Sequence, residues 1–122
     1  MKKELNFPRH YRLVSKTEYK SVFDKSFKVS QKHLVVLFKP NEKSYARLGL
    51  VIGKRVANSA VVRNQIKRIM RESFRLNHEQ LKGFDIIILG RQQCDTLDKA
   101  KLREGIDKLW QKLLISYPTL SP

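Results

Sequence analysis

The chain has 122 residues, 41% apolar and 30% charged, the balance of one folded domain with its own core and not of a disordered tail or a membrane-embedded chain. Lys and Arg number 26 against 11 Asp and Glu, giving a net charge of +15 and a pI near 10.3. Self-repulsion of that size opposes folding, so a polyanionic partner is its natural explanation.

No apolar run approaches the ~20 residues of a membrane span, and the opening MKKELNFPRHYR lacks the apolar stretch of a secretory signal. No lipidation signal or bulky exposed apolar face favours a membrane surface, which leaves nucleic acid as the expected polyanion. The single cysteine, Cys94, cannot form an intramolecular disulfide; it reads as an incidental thiol near a loop and fits a reducing cytoplasm.

In chain order, SKTEYKSVFDKS places Ser15 and Glu18 at capping-box spacing, followed by Tyr19, Val22 and Phe23 on one face of a short helix. FKVSQKHLVVLFKP is rich in β-formers and predicts a strand over Leu34–Lys39, with room for a short one before it. After the turn NEKS, ARLGLVIGKR predicts another strand over Ala46–Gly53. The short loop suggests that these two strands form an antiparallel hairpin. Asn58 or Ser59 can cap the next helix, which should reach about Leu76 or a little beyond. DIIILG is a continuous apolar run and predicts a buried strand ending at Gly90. A last helix carries Leu102, Ile106, Leu109, Trp110, Leu113 and Leu114 on one stripe, weakened by roughly 1 kcal/mol at Gly105. The tail over 117–122 reads as loose. Helix, strands, helix, strand and helix make a single α+β domain, with one small sheet covered by helices.

The central helix holds an unusual concentration of charge. At ~100° per residue, Arg63, Lys67, Arg68, Arg71 and Arg75 fall within an arc of roughly 140°. Ile66, Ile69 and Met70 take the other side, with Phe74 at the boundary. A solvated face usually alternates charge at i, i+4; this one repeats Arg63/Lys67, Lys67/Arg71 and Arg71/Arg75, at a few tenths of a kcal/mol each. A phosphate backbone reverses the sign of that cost, and arginine suits bidentate phosphate contacts. Lys54 and Arg55 of GKRV lie just upstream. Asn64, a poor helix former, fits either a local cap hydrogen bond or an RNA contact.

Nothing in the chain resembles a protein active site. His10, His33 and His78 are scattered, without a partner at metal-ligand spacing, and no phosphate-binding glycine loop is present. Glu72 reads as a support for the helix or an orienting group for an arginine. No catalytic residue and no metal ligand are therefore assigned.

GKRVANSAVVRNQIKRIMRESFR closely resembles the signature of the bacterial ribonuclease P protein subunit, in Arg63-Asn64, Lys67-Arg68 and Arg71-Glu72. FPRHYRLVSKTEYKSVF, RLGLVIGKRV and DIIILGR resemble other parts of that family, so the likeness covers most of the chain. Gln65 departs from it, standing where a basic residue is common. The resemblance implies a small two-layer α/β sandwich with a left-handed βαβ crossover, ribosomal-protein S5 domain 2-like. It also implies a partner of a catalytic RNA that removes 5′ leaders from precursor tRNA, with Mg²⁺ in the RNA-containing holoenzyme and no cofactor bound by the protein alone. Lys54, Arg55, Arg63, Asn64, Lys67, Arg68 and Arg71 become the set facing the catalytic RNA. Tyr19, Phe23 and Leu37 become the cleft for the single-stranded leader. On spacing alone Tyr19 and Phe23 would be core residues; as exposed rings they could stack leader bases. Leu37 stands where the family often has an aromatic, and Phe38 should point to the opposite face. Joint loss of Arg63 and Arg68 is expected to flatten the salt dependence of RNA binding with little change in thermal midpoint.

Other readings differ in kind. A ribosomal or general RNA-binding module fits the composition equally and lacks only the motif. A helix-turn-helix DNA binder would need a closely apposed partner helix, and a stand-alone nuclease would need acidic metal ligands.

Overall fold

The computed structural model describes residues 11–96 and 98–120; His10, the start of the FPRHYR segment and the end of the tail lie outside them. The elements run α1 (Lys16–Asp24), β1 (Phe27–Ser30), β2 (Leu34–Pro40), β3 (Arg47–Val51), α2 (Ala60–Leu81), β4 (Phe84–Gly90), a short 3-10 turn at Cys94–Thr96, and α3 (Lys99–Leu120).

The four strands form one mixed sheet in the order β1-β2-β4-β3. β2 is antiparallel to β4 with Leu37 opposite Ile87, and β3 is parallel to β4 with Gly49 opposite Ile87. The expected hairpin between β2 and β3 is thus not formed, because β4 lies between them. The reason is composition: Ile86, Ile87 and Ile88 are all fully buried, and only an interior strand covers both of its faces.

Alternation along the strands divides the core in two. Val36, Phe38, Ile86 and Ile88 face α2 and α3, meeting Met70, Phe74, Leu109, Trp110 and Leu113. Ile87 faces the other way, onto Val22 of α1 and Leu13. Phe38 therefore does point away from Leu37, as the period of two requires. Helices α2 and α3 are further tied by Ser73, whose hydroxyl donates to Asp107 and accepts from Trp110 Nε1 at 2.8 Å.

Local signals set the helix starts. Ser15 and Glu18 form the full reciprocal capping box of α1, and Ser59, not Asn58, caps α2. The two later helices run on, α2 beyond Leu76 as expected and α3 into the tail that reads as loose from sequence. α2 continues past Leu76 to Leu81, which is fully buried. α3 continues to Leu120, and its Tyr117 sits edge-on to Phe27, Phe38 and Phe84 at centroid distances of 5.6, 6.3 and 5.0 Å, so this part of the tail is packed. Cys94 is fully buried beside Gly90, and burial pushes its thiol up to about 11.

Candidate nucleic-acid interface

The chain leaves β3 through a tight turn, in which Val56 and Ala57 both donate backbone N–H groups to the Gly53 carbonyl. This turn leaves Lys54 and Arg55 exposed ahead of the N-terminus of α2. Ile66, Met70 and Phe74 dock α2 on the sheet, so the opposite arc of the helix is turned outward. Asn64, Gln65 and Arg68 are exposed there, and the Asn64 side chain has no hydrogen bond to another described residue. Arg75 bonds Glu72 at 2.9 Å, which gives Glu72 its orienting role one turn beyond the centre of the motif.

Arg63 differs from its neighbours. Its Nη1 donates to the carbonyls of Ala57 at 2.7 Å and Asn58 at 2.9 Å, bracing the turn that presents Lys54 and Arg55. Its loss therefore carries a structural cost, so a variant lacking Arg63 should have a lowered thermal midpoint, contrary to the reading from sequence.

Lys67 and Arg71 lie on the flank of α2 that meets the outer edge of β3. That edge is partly covered by the segment before α1: Arg12 bridges to Leu48, and Leu13 N donates to the Leu48 carbonyl at 2.9 Å. Tyr19 crosses from α1. A Cβ at Gly49 would come within 2.8 Å of its ring, so only glycine lets the ring lie on this strand, and its hydroxyl accepts the Leu50 N–H at 3.2 Å. Arg12, Leu13, Tyr19, Leu48, Leu50, Lys67 and Arg71 together line a cavity of about 140 Å³. Burial lowers the pKa of Arg71 from its ordinary value and the nearby Arg12 charge lowers it further, and no carboxylate is among the described residues that line the cavity.

The cleft residues separate by exposure. Tyr19 and Leu37 are half-buried against the Leu13–Val22–Ile87 cluster, whereas Phe23 is 46% exposed, open enough for a stacking surface. Helix α1 itself is clamped by Arg47. Its guanidinium grips both oxygens of Asp85, and its Nη1 bonds Glu18 at 2.9 Å. Glu18 also accepts the N–H groups of Val14 and Ser15, which hold its carboxyl below the usual range, with Arg47 adding to the effect.

Of the residues expected from sequence, Lys67, Arg71 and Tyr19 meet in one cavity. Lys54, Arg55, Asn64 and Arg68 form an outer surface on and beside α2, and Phe23 and Leu37 lie further along α1 and β2. Arg12, Arg47 and Gly49 were missed. A lone arginine and a glycine inside an apolar strand were the available signals for the last two; Arg12 carried none. Among the described residues, no three His, Cys, Asp or Glu side chains gather as a metal site. No helix is long and apolar enough to cross a membrane among those residues.

A small α+β domain with cations gathered on one helix and its leading turn, beside a half-buried tyrosine and an exposed phenylalanine, has the make-up of an RNA-binding protein. The sequence model of the Ribonuclease P family matches residues 7–114, and the chain belongs to that family. It is 43% identical over 115 residues to the ribonuclease P protein component of Pseudomonas putida strain GB-1, covering 93% of this chain and 86% of that one. The ribonuclease P protein of Staphylococcus aureus superposes with a TM-score of 0.79 at 26% identity, over 84% of this chain and 94% of that one. That of Thermotoga maritima gives 0.73 at 31% identity, over 83% and 96%. The role that goes with the family is that of the protein subunit of ribonuclease P, the ribonucleoprotein of tRNA processing.

Proposed function

We propose that this subunit holds the catalytic RNA on the basic face of α2 and the 5′ leader of precursor tRNA in the adjoining cleft, assisting removal of the leader to give the mature 5′ end. The observation that carries this reading is the shared cavity: Arg12, Lys67 and Arg71 stand beside Tyr19, so the cationic helix borders the first ring of the expected leader cleft. A phosphate placed there would be held by charge while its neighbouring bases reached Phe23 and Leu37.

Lys54, Arg55, Arg63, Lys67, Arg68 and Arg71 supply about six phosphate contacts, which corresponds to a salt slope of roughly −4 to −5. Asn64 adds an uncharged donor and acceptor on the same surface. Stacking on Phe23 and Tyr19 favours the precursor over mature tRNA, since only the precursor has a leader, at ~1–3 kcal/mol per base.

Bond cleavage itself belongs to the RNA in this reading. Mg²⁺ is expected in the RNA-containing holoenzyme, where RNA phosphates would hold it, and the protein's part is to bind and orient the two RNAs. The work takes place in the cytoplasm, where tRNA precursors and the catalytic RNA are found together. The test is cleavage of precursor tRNA by a bacterial ribonuclease P RNA at low magnesium, with and without the protein. Restored cleavage at the mature 5′ end is expected; no change on adding the protein would overturn the proposal.

A further inference from the structure

A second concentration of positive charge lies at one end of the sheet, away from the cleft. The register puts Ser30, Leu34, Gly90 and Val51 at that end, the end from which the chain leaves β3 for Lys54, Arg55 and α2. Across it, Lys32, His33, Arg91, Gln92 and Gln93 line an open hollow of about 470 Å³. No Asp or Glu is among the described residues that line it.

The hollow is built and not merely left over. Arg91 N donates to the His33 carbonyl at 2.8 Å, and Arg91 Nη1 reaches the Gln31 carbonyl at 3.3 Å. The imidazole Nδ1 of His33 lies 3.4 Å from the Gln92 carbonyl. From behind, α3 supports the β1–β2 turn: a Cβ at Gly105 would come within 2.6 Å of Gln31 Oε1, and Lys112 Nζ bonds the Ser30 carbonyl at 2.8 Å. Lys32 and Arg91 are exposed on this fixed frame. Strands are spaced ~4.8 Å apart, so the turn at Lys32, between β1 and β2, and the exit of β3 toward Lys54 are about two and a half spacings, ~12 Å, apart across the sheet end. One nucleic-acid backbone can touch both.

We infer that Lys32, Arg91 and the polar groups of His33, Gln92 and Gln93 form a further phosphate-binding site, which extends the surface that grips the catalytic RNA around the end of the sheet. The ligand is a phosphodiester of that RNA; a phosphate of precursor tRNA has the same chemistry and is separated from it by the test. The inference rests on the reading that the chain binds the catalytic RNA.

The experiment measures affinity of the full-length protein for a bacterial ribonuclease P RNA as a function of salt, with native protein, Lys32→Ala/Arg91→Gln, and Lys99→Ala/Lys101→Ala as a charge-matched control on α3. The sheet-end variant is expected to bind about tenfold more weakly at moderate salt and to lose between one and two from the salt slope, while the control stays at the native value. Lys32→Glu, which leaves every hydrogen bond of Arg91 in place, should show the same direction if the double variant folds poorly. Native protein that fails to bind the RNA would defeat the functional reading itself. Native binding with an unchanged affinity and slope in Lys32→Ala/Arg91→Gln would overturn this site alone. A loss seen only with leader-bearing precursor present, and not with the catalytic RNA alone, would overturn its assignment to the catalytic RNA.

Discussion

Arg47 and Asp85 meet in a two-pronged ion pair across neighbouring strands, Nε to Oδ1 at 2.9 Å and Nη2 to Oδ2 at 2.7 Å. Asp85 is 6% exposed, and Asn41 Nδ2 donates to the same carboxylate at 2.9 Å. Because the third arm of Arg47 holds Glu18, this pair also sets the position of α1 over the sheet. Arg47→Ala would leave a buried carboxylate without its cation, at a cost of about 3 kcal/mol. Urea unfolding should show the midpoint fall without a large change in m-value.

Glu18 gives the domain an acid limb. Its folded-state pKa is lowered by the Val14 and Ser15 N–H groups first, with Arg47 adding to them, so the unfolded chain takes up the proton more readily. The stability it contributes is present above the ordinary glutamate range and is lost as pH falls through the lowered value. Glu18→Gln should be less stable than the native chain near neutrality and converge with it in acid, as followed by thermal midpoints across pH.

Gly49 and Tyr19 make a single device. Gly49→Ala would bring a methyl to 2.8 Å from the ring and push Tyr19 off the strand, closing or distorting the cavity it shares with Lys67 and Arg71. Leader-bearing precursor should lose about tenfold in affinity for the holoenzyme, a larger loss than that of the catalytic RNA, which Lys54, Arg55 and Arg68 still hold outside this cavity. Equal losses for both RNAs would separate Tyr19 from leader recognition.

The exposed cations should be distinguishable from the bracing one. Lys54→Ala with Arg68→Ala removes two exposed side chains that make no hydrogen bond or ion pair among the described residues, so the salt slope should fall by roughly 1.4 to 1.8 with the thermal midpoint unchanged. Arg63→Ala should lower both slope and midpoint, since it also frees the carbonyls of Ala57 and Asn58.

Cys94 should be inert in the folded chain. It is fully buried and burial raises its thiol to about 11, so the reactive thiolate is scarce at neutral pH. Labelling with a thiol reagent near pH 8 should be slow and should accelerate in step with unfolding by denaturant. Fast labelling of native protein would mean that the 3-10 turn opens locally.

What could be read from the sequence was local. The capping box of Ser15 and Glu18, the outward arc of α2 and the wholly apolar run of β4 each lie within a few turns of chain, and each is found where the pattern puts it. Strand pairing was not legible. Proximity along the chain argued for β2 beside β3, but burial of both faces of β4 outweighs a short loop. The clamp on α1 was equally hidden, because Glu18, Arg47 and Asp85 are brought together from distant parts of the chain and none stands out by spacing. Arg63 was legible as a cation and illegible as a brace, since only the folded turn brings the Ala57 and Asn58 carbonyls under its guanidinium.

The central place of β4 has a consequence for the order of events during synthesis. β2 and β3 leave the ribosome well before residues 84–90 and have no direct partnership with each other, so the strands cannot settle into one sheet until the last of them arrives. Through that interval the chain displays the basic arc of α2 and the edges of β2 and β3 that β4 will fill, next to the RNA of the ribosome. The nascent polypeptide is thus able to attract a polyanion before it has a finished fold, and a phosphate backbone that screens α2 would favour collapse by relieving its self-repulsion.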